Sequence, residues 1–481
     1  VLFEHHKDLV AALEHLVEVK GNEVHILDGE AIRQKLIDRL IYNAVFHPND
    51  DLKYYARWLI REIAAGLVIY PASIAPLYHA MGRGETPLFT TPAVNIRLFT
   101  YDVCRAYIRA AKKAECAAFI FEIAKSEMGY TYQNPGEYAA CVLAAAIKEH
   151  YQGPLFIQGD HFQVSAKNYL ADREREIDDL KSLIDEAIDA GFYNVDIDTS
   201  TLVDLSKPTE EEQQEPNFTN CAELTDYIRR RQPAGMEISV GGEIGEVGGT
   251  NSRVEEFRAF MEGFTRELRT RNDKAQGIAK MSVQTGTEHG GVPTAEGRVA
   301  EVKLDFNVLR DIGEVARREF GLGGTVQHGA STLPEEMFDR FPSHSCCEIH
   351  LATGFQNMIY DHPAFPSELK EEMYQWLDQN ARAERKEGYS DEQFYYKSRK
   401  RALGPFKQRM WDLPSDVKQA MMADVEAKFS FYMEKLNVKN TAGLVRDTIQ
   451  IKRVPMNPPA TGLHKTAENT LSYILSDTGG E

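Results

Sequence analysis

Eight short apolar runs, separated by amphipathic stretches with helical spacing, predict an α/β chain folded as a (β/α)8 TIM barrel with N-terminal and C-terminal helical extensions. Three observations carry that expectation. The runs fall between residues 88 and 353, close to the ~250 residues such a barrel takes. Between them, apolar positions recur at three- and four-residue spacing, as in Val103–Ala114, Glu174–Ala190 and Phe306–Phe320. Every run also gives way at its C-terminal end to polar or ionisable residues, and a parallel barrel carries its reactive groups at that end.

In chain order the runs are Phe89–Arg97, Ala117–Ile123, Pro154–Asp160, Phe192–Asp198, Met236–Glu243, Ile278–Thr285, Gly323–His328 and Cys346–Leu351. They lead into Asn95, Glu122 (then Lys125, Ser126 and Glu127), Asp160-His161, Asp198, Glu243, His289, His328, and His350 with Thr353. Solvated loops explain one or two polar strand ends. They explain poorly three imidazoles, each beside Gly or Asp, on three separate strands.

The flanks read differently. Residues 1–85 have helical spacing in Leu9–Val17, Ala31–Ile41 and Tyr54–Leu67, with a break at His47-Pro-Asn-Asp50, and nothing in them looks catalytic. Residues 366–481 predict helices over Ser367–Asn380, Leu413–Leu436 and 466–475, with a charged, solvated face at Arg382–Glu387. The expected domains are a helical segment 1–85, a barrel 86–365 and a helical extension 366–481.

A net charge of −18 argues against a nucleic-acid partner, whose phosphates would be repelled. No apolar run approaches the ~20 residues of a membrane span, and no basic stretch leads into an apolar one near residue 1. Six cysteines without C-x-x-C spacing read as reduced, mostly buried thiols of a cytoplasmic protein. The expected partner is a small molecule, and a homo-oligomer is allowed.

The centre of the chain is Pro154-Leu-Phe-Ile-Gln-Gly-Asp160-His161. Adjacent strand residues point opposite ways, so Asp160 and His161 share one site only if the strand ends there, with Gly159 allowing the bend. The stretch Gly241-Gly-Glu243-Ile-Gly245-Glu-Val-Gly-Gly249 lacks the spacing of a dinucleotide fingerprint, and its glycines permit close backbone approach around Glu243. His289 and His328 each precede a Gly after an apolar strand. Neutral imidazole binds zinc and similar ions, and three ligands with an open position suit a catalytic metal. The three imidazoles together with Glu243 point to such a site.

These pieces meet a known pattern. Pro92-Ala-Val-Asn95, Gln158-Gly-Asp160-His161, Val195-Asp-Ile-Asp198-Thr-Ser200, Glu243-Ile-Gly245 with Gly248-Gly249, Gly286-Thr-Glu-His289-Gly290, Lys303-Leu-Asp-Phe306 and His328-Gly-Ala-Ser331 occur in the order of the class II, metal-dependent fructose-bisphosphate aldolases, which this chain resembles over about residues 88–355. The resemblance implies that His161, His289 and His328 bind the metal, that Glu243 serves an alternate metal position, and that Asp160 moves the proton of the hydroxyl at the breaking bond.

The departures matter as much. The family's phosphate cradle reads His-Gly-Gly-Ser-Gly and Lys-Ile-Asn-x-Asp-Thr, whereas here it reads His328-Gly-Ala-Ser-Thr332 and Glu348-Ile-His350-Leu-Ala-Thr353. Ala330 closes a bare-backbone approach to phosphate, so a substrate without phosphate at that end is expected. The family's acidic loop becomes Gly249-Thr-Asn-Ser-Arg253, with no acid before Glu255, so a base that acts on carbon is not expected.

With its length and long flanks, the chain resembles the narrower family of tagaturonate/fructuronate epimerases, whose relatives interconvert tagatose and fructose. The implied activity is a metal-dependent epimerisation at the carbon β to the ketone. A proton on that carbon is not acidic, so retro-aldol cleavage and re-formation of the α–β bond is the expected route. An aldolase acting on an unphosphorylated keto-sugar or keto-uronate is the alternative.

The expected roles follow. His161, Glu243, His289 and His328 hold Zn²⁺, with Mn²⁺ or Ni²⁺ as alternatives. Asp160 is the acid/base, and Glu127, with Glu122 behind it, serves the opposite face. Glu127 could equally be a first-turn helix acid. Lys125 or Arg97 meets a uronate carboxylate. Asn95, Lys125, Gln158, Ser331, His350 and Thr353 contact the substrate.

Overall fold

The computed structural model describes residues 2–245, 250–286 and 304–459. Eight parallel strands close into a barrel: β1 (Thr91–Asn95), β2 (Ile120–Ala124), β3 (Gly153–Gln163), β4 (Asn194–Asp198), β5 (Ser239–Ile244), β6 (Lys280–Val283), β7 (Thr325–Gln327) and β8 (Cys346–Leu351). Closure runs through Ile349↔Pro92 and Leu351↔Val94. Each strand coincides with one expected run to within a few residues, because each run is buried on both faces, by barrel interior and by helices.

The helices between the strands carry their own start and stop signals. In Arg173–Ala190 the Asp172 side chain accepts from Arg175 N, and Gly191 ends the helix at φ 101°. In Phe306–Phe320 the same parts are Asp305 and Gly321. Thr209 caps Glu210–Arg231, which has Glu210–Glu212 in its first turn and Arg229–Arg231 in its last, matching the helix dipole at both ends.

Residues 1–85 are not wholly helical, contrary to expectation. Val17–Lys20 and Glu23–Ile26 form an antiparallel hairpin, and Ile69–Ala72 runs parallel to the start of β3, from Ile69↔Gly153 to Ala72↔Phe156. These runs are only four residues long, too short for periodicity to separate strand from helix. The next helix, Ala75–Gly82, packs at the N-terminal end of the barrel, where Gly323 lets it approach: a Cβ on Gly323 would lie 2.9 Å from Tyr78 Cβ.

A second departure concerns β3. The strand does not end at Asp160 but continues to Gln163. Its ladder to β4 passes from Gly159↔Val195 to Phe162↔Ile197, three residues against two. That is a bulge, and the bend sits at His161, whose φ of 40° is left-handed. The extra residue re-aims the strand, so two consecutive side chains face the barrel axis. A non-glycine residue held there costs about 1–3 kcal/mol.

In the C-terminal extension, Ser367–Asn380 is helical as expected. Ser415–Lys435 lies along the helix Thr100–Lys113, with Phe429 4.5 Å from Tyr107 between ring centroids and Arg109 Nε donating to Glu426 at 2.7 Å. Gly404 N donates to Tyr130 O at 2.9 Å and Lys407 Nζ to Tyr132 O at 2.6 Å, which ties the extension to the segment following β2. The helix expected at 466–475 lies outside the described residues. Among the described residues no helix is long and apolar enough to cross a membrane. All six cysteines are buried and unpaired.

Candidate active site

Strand alternation stacks the polar side chains of the barrel interior in two layers. Residues two apart on one strand share the inward face. Gln158 (β3), Asp196 (β4), Lys280 (β6) and Glu348 (β8) lie in the lower layer, nearer the strand starts. Asp160, Asp198, Glu243 and His350 lie in the upper layer, nearer the strand ends, with His161 added by the bulge, Glu122 from β2 and His328 from the end of β7. All of these are buried.

The upper layer is a continuous set of nitrogen and oxygen atoms. His161 Nδ1 is 3.2 Å from Asp198 Oδ2 and 3.3 Å from Glu243 Oε2. His161 Nε2 and His328 Nε2 each lie 3.9 Å from Asp160 Oδ1. His328 Nδ1 is 3.9 Å from Glu243 Oε1. His350 Nδ1 is 3.1 Å from Asp160 Oδ1 and 3.2 Å from Glu122 Oε1. The His328 ring stands 4.3 Å from that of His161 and 4.2 Å from that of His350.

The electrostatics separate the carboxylates. Burial, then the neighbouring Asp160, pushes Glu122 up to about 8. Burial, then Asp198, pushes Glu243 up to about 7. Burial also opposes charge on Asp160, but the imidazoles of His161, His350 and His328 outweigh it and hold Asp160 well below the usual carboxylate range. Two acids a few ångströms apart thus favour opposite protonation states, the condition for paired acid and base roles.

The sequence model of the fructose-bisphosphate aldolase class-II family matches residues 85–434. The chain belongs to the class-II fructose-bisphosphate aldolase family. Among solved structures, fructuronate-tagaturonate epimerase UxaE from Cohnella laeviribosi superposes with a TM-score of 0.51 at 12% identity, covering 89% of this chain and 90% of that one. A probable tagatose 6 phosphate kinase from Sinorhizobium meliloti 1021 gives a TM-score of 0.50 at 14% identity, covering 81% and 98%. At such identities these likenesses speak to the fold alone.

A class-II aldolase fold implies a divalent metal, and the upper layer suits one. Asp160, His161 and His328 offer ligand atoms within 4.8 Å of one another, and so do His161, Asp198 and Glu243. Asp160 Oδ1, Glu122 Oε1 and His350 Nδ1 are buried yet make no well-oriented hydrogen bond, as groups do that face a missing partner. The Asp198 carboxylate, which the sequence reading left out of the site, also receives Gln163 Nε2 at 2.7 Å and Ser200 Oγ at 2.7 Å, so it can orient His161 from behind. His289 lies outside the described residues.

The remaining expected residues divide. Asn95, Ser331, His350 and Thr353 line a small cavity at the strand ends, together with Arg97, Glu122, Glu127, Asp160, His161 and His328. Gln158 lies below it, in the lower layer. Lys125 points elsewhere: its Nζ donates to Gln163 O at 3.1 Å and lies 3.6 Å from Glu176. Glu127 lines the cavity, but Ala124 N donates to its Oε2 at 2.8 Å and Arg97 Nη2 sits 2.5 Å from its Oε1. It therefore serves as the first-turn helix acid. A larger cavity of about 750 Å³ lies outside the barrel against Trp58, Leu143 and Met456, and no imidazole lines it.

Sequence reasoning named Gln158 but missed the charged part of the lower layer. Its signal was a charged residue inside an apolar run, at Asp196, Lys280 and Glu348. Gly241 makes room for it, since a Cβ there would lie 2.3 Å from Asp196 Oδ1. Gly241→Ala is expected to destabilise the fold by about 1–3 kcal/mol, measured by urea unfolding.

Proposed function

We propose that this chain is a metal-dependent sugar epimerase that interconverts tagaturonate and fructuronate, or tagatose and fructose, at the carbon β to the ketone. One observation carries the reading. The aldolase acid Asp160 and its imidazoles stand together at the strand ends, while Ala330, His350 and Ala352 replace the family's phosphate-binding groups.

His161 and His328, with Glu243 and His289, would hold the metal, with Zn²⁺ the first candidate and Mn²⁺ or Ni²⁺ the alternatives. A bound divalent ion would supply Lewis-acid polarisation of the ketone oxygen and offset negative charge on the adjacent carbons. Asp160 takes the proton of the β-hydroxyl. The O–H electrons form the aldehyde carbonyl, and the α–β bond electrons pass into the enediolate fragment. The aldehyde then turns, and the bond re-forms on its other face. The new alkoxide needs a proton from a second acid.

Glu127 is the expected second acid, but its oxygens are engaged by Ala124 N and Arg97. Glu122, pushed up by burial and by Asp160 and 3.2 Å from His350, is the better assignment. Arg97, Ser331, His350 and Thr353 line the space for the sugar. Six buried, unpaired thiols suit a reducing cytoplasm.

The test is turnover of fructuronate, and separately of fructose, by metal-loaded protein in D₂O, with products analysed by NMR. The expected product is the epimer, without deuterium at the inverted carbon and without free three-carbon fragments. Deuterium there would refute bond cleavage. Released fragments would make the protein an aldolase.

A further inference from the structure

We infer that Tyr78, Glu348 and Lys280 form a buried strut that positions His350 against Asp160, which makes the N-terminal extension part of the reaction machinery; this rests on the upper layer being the reaction site. The strut begins at the N-terminal end of the barrel. Tyr78, on the helix Ala75–Gly82, donates its hydroxyl to Glu348 Oε2. The other oxygen, Glu348 Oε1, accepts from Lys280 Nζ at 2.5 Å, from His350 Nε2 at 2.7 Å and from Gln158 Nε2 at 2.8 Å. Lys280 also reaches Asp196 at 2.9 Å. Tyr78 and Glu348 are 0% exposed and Lys280 is 1% exposed.

Stability alone is a poor reason for such a cluster. Buried ion pairs repay their desolvation only in part, and apolar side chains of equal volume often serve as well. The cluster does fix one imidazole. With Nε2 bonded to Glu348, flipping the His350 ring or swinging it away from the barrel axis would break that bond. Its Nδ1 is thereby held 3.1 Å from Asp160 Oδ1 and 3.2 Å from Glu122 Oε1, the two groups assigned to proton transfer. Lys280 offsets the negative charge that Glu348 and Asp196 bring inside, so Glu348 can remain an anionic acceptor for His350. Tyr78 completes the carboxylate from below. Tyr78, Glu348 and Lys280 are positioning residues, since none of them lines the cavity.

Tyr78→Phe removes one oxygen and keeps the ring, so the fold should survive. Its kcat is expected to fall about 3- to 10-fold, with KM and bound metal unchanged. Glu348→Gln is expected to lower kcat about 100-fold, again with metal retained. The second readout is NMR of ¹⁵N-histidine-labelled protein, with the His350 ring N–H assigned by its loss in His350→Gln. That signal should shift in Tyr78→Phe and shift further in Glu348→Gln. A fall in kcat without movement of the signal, or a moved signal with kcat within about two-fold of wild type, overturns the inference. If Glu348→Gln is insoluble, Tyr78→Phe decides alone. If wild-type protein turns over neither sugar, the proposed function fails, and an unmoved His350 signal would refute the strut independently.

Discussion

Asp160→Asn lowers kcat by about 10²–10⁴-fold while bound metal stays at the wild-type level. The expectation follows from where Asp160 stands. It is buried, within 3.9 Å of two imidazoles assigned to the metal and 3.1 Å from a third, and its Oδ1 has no well-oriented hydrogen bond. Those imidazoles keep Asp160 ionised against burial, so its carboxylate carries no proton of its own. An amide of the same shape keeps the packing and the contact from Asn95 Nδ2, 3.4 Å away, but cannot take the proton. Steady-state kinetics and metal analysis of the same preparation check both halves. Near-normal turnover would remove Asp160 from the mechanism.

His328→Ala should lower bound metal from about one ion per chain to almost none, and turnover with it. His328 follows the last residue of β7, and its two nitrogens face Asp160 and Glu243. Truncation removes one of the assigned ligands and leaves His161 and Glu243, which face it in the barrel, to hold the ion with His289. Metal analysis after dialysis against a chelator reads the result. His289→Ala tests the expected ligand that lies outside the described residues. Unchanged metal content in His328→Ala would move the ion elsewhere, and the cluster of Glu122, Asp160 and His350 would be the next place to look.

Much of this protein was legible in one dimension. The eight barrel strands were visible because each is a short apolar run buried on both faces, bounded by helices with period near 3.6 and by caps such as Asp172 and Gly191. The polar strand ends were visible because a parallel barrel sends every strand's C-terminal end to one face. The hairpin 17–26 and the strand Ile69–Ala72 escaped notice because a four-residue run has no usable period. Lys125 and Glu127 looked available because sequence shows a charge without its partner. Lys125 is taken by Gln163 and Glu176, and Glu127 by a helix N-terminus and Arg97.

The sequence by itself determined the barrel, the strand that carries Asp160, His161, Glu243, His328 and His350 or leads into them, and the family's order of motifs, because these depend on local pattern and chain order. Only the tertiary structure decided how Asp160 and His161 come to share a site. A strand of period two would part them, and an unpaired residue in the ladder to β4, with His161 in a left-handed conformation, brings both to the axis. The tertiary structure likewise joined Tyr78 to Glu348 across 270 residues of chain. Such contacts arise where barrel closure and helix packing bring distant residues within hydrogen-bond reach, and no local pattern records them.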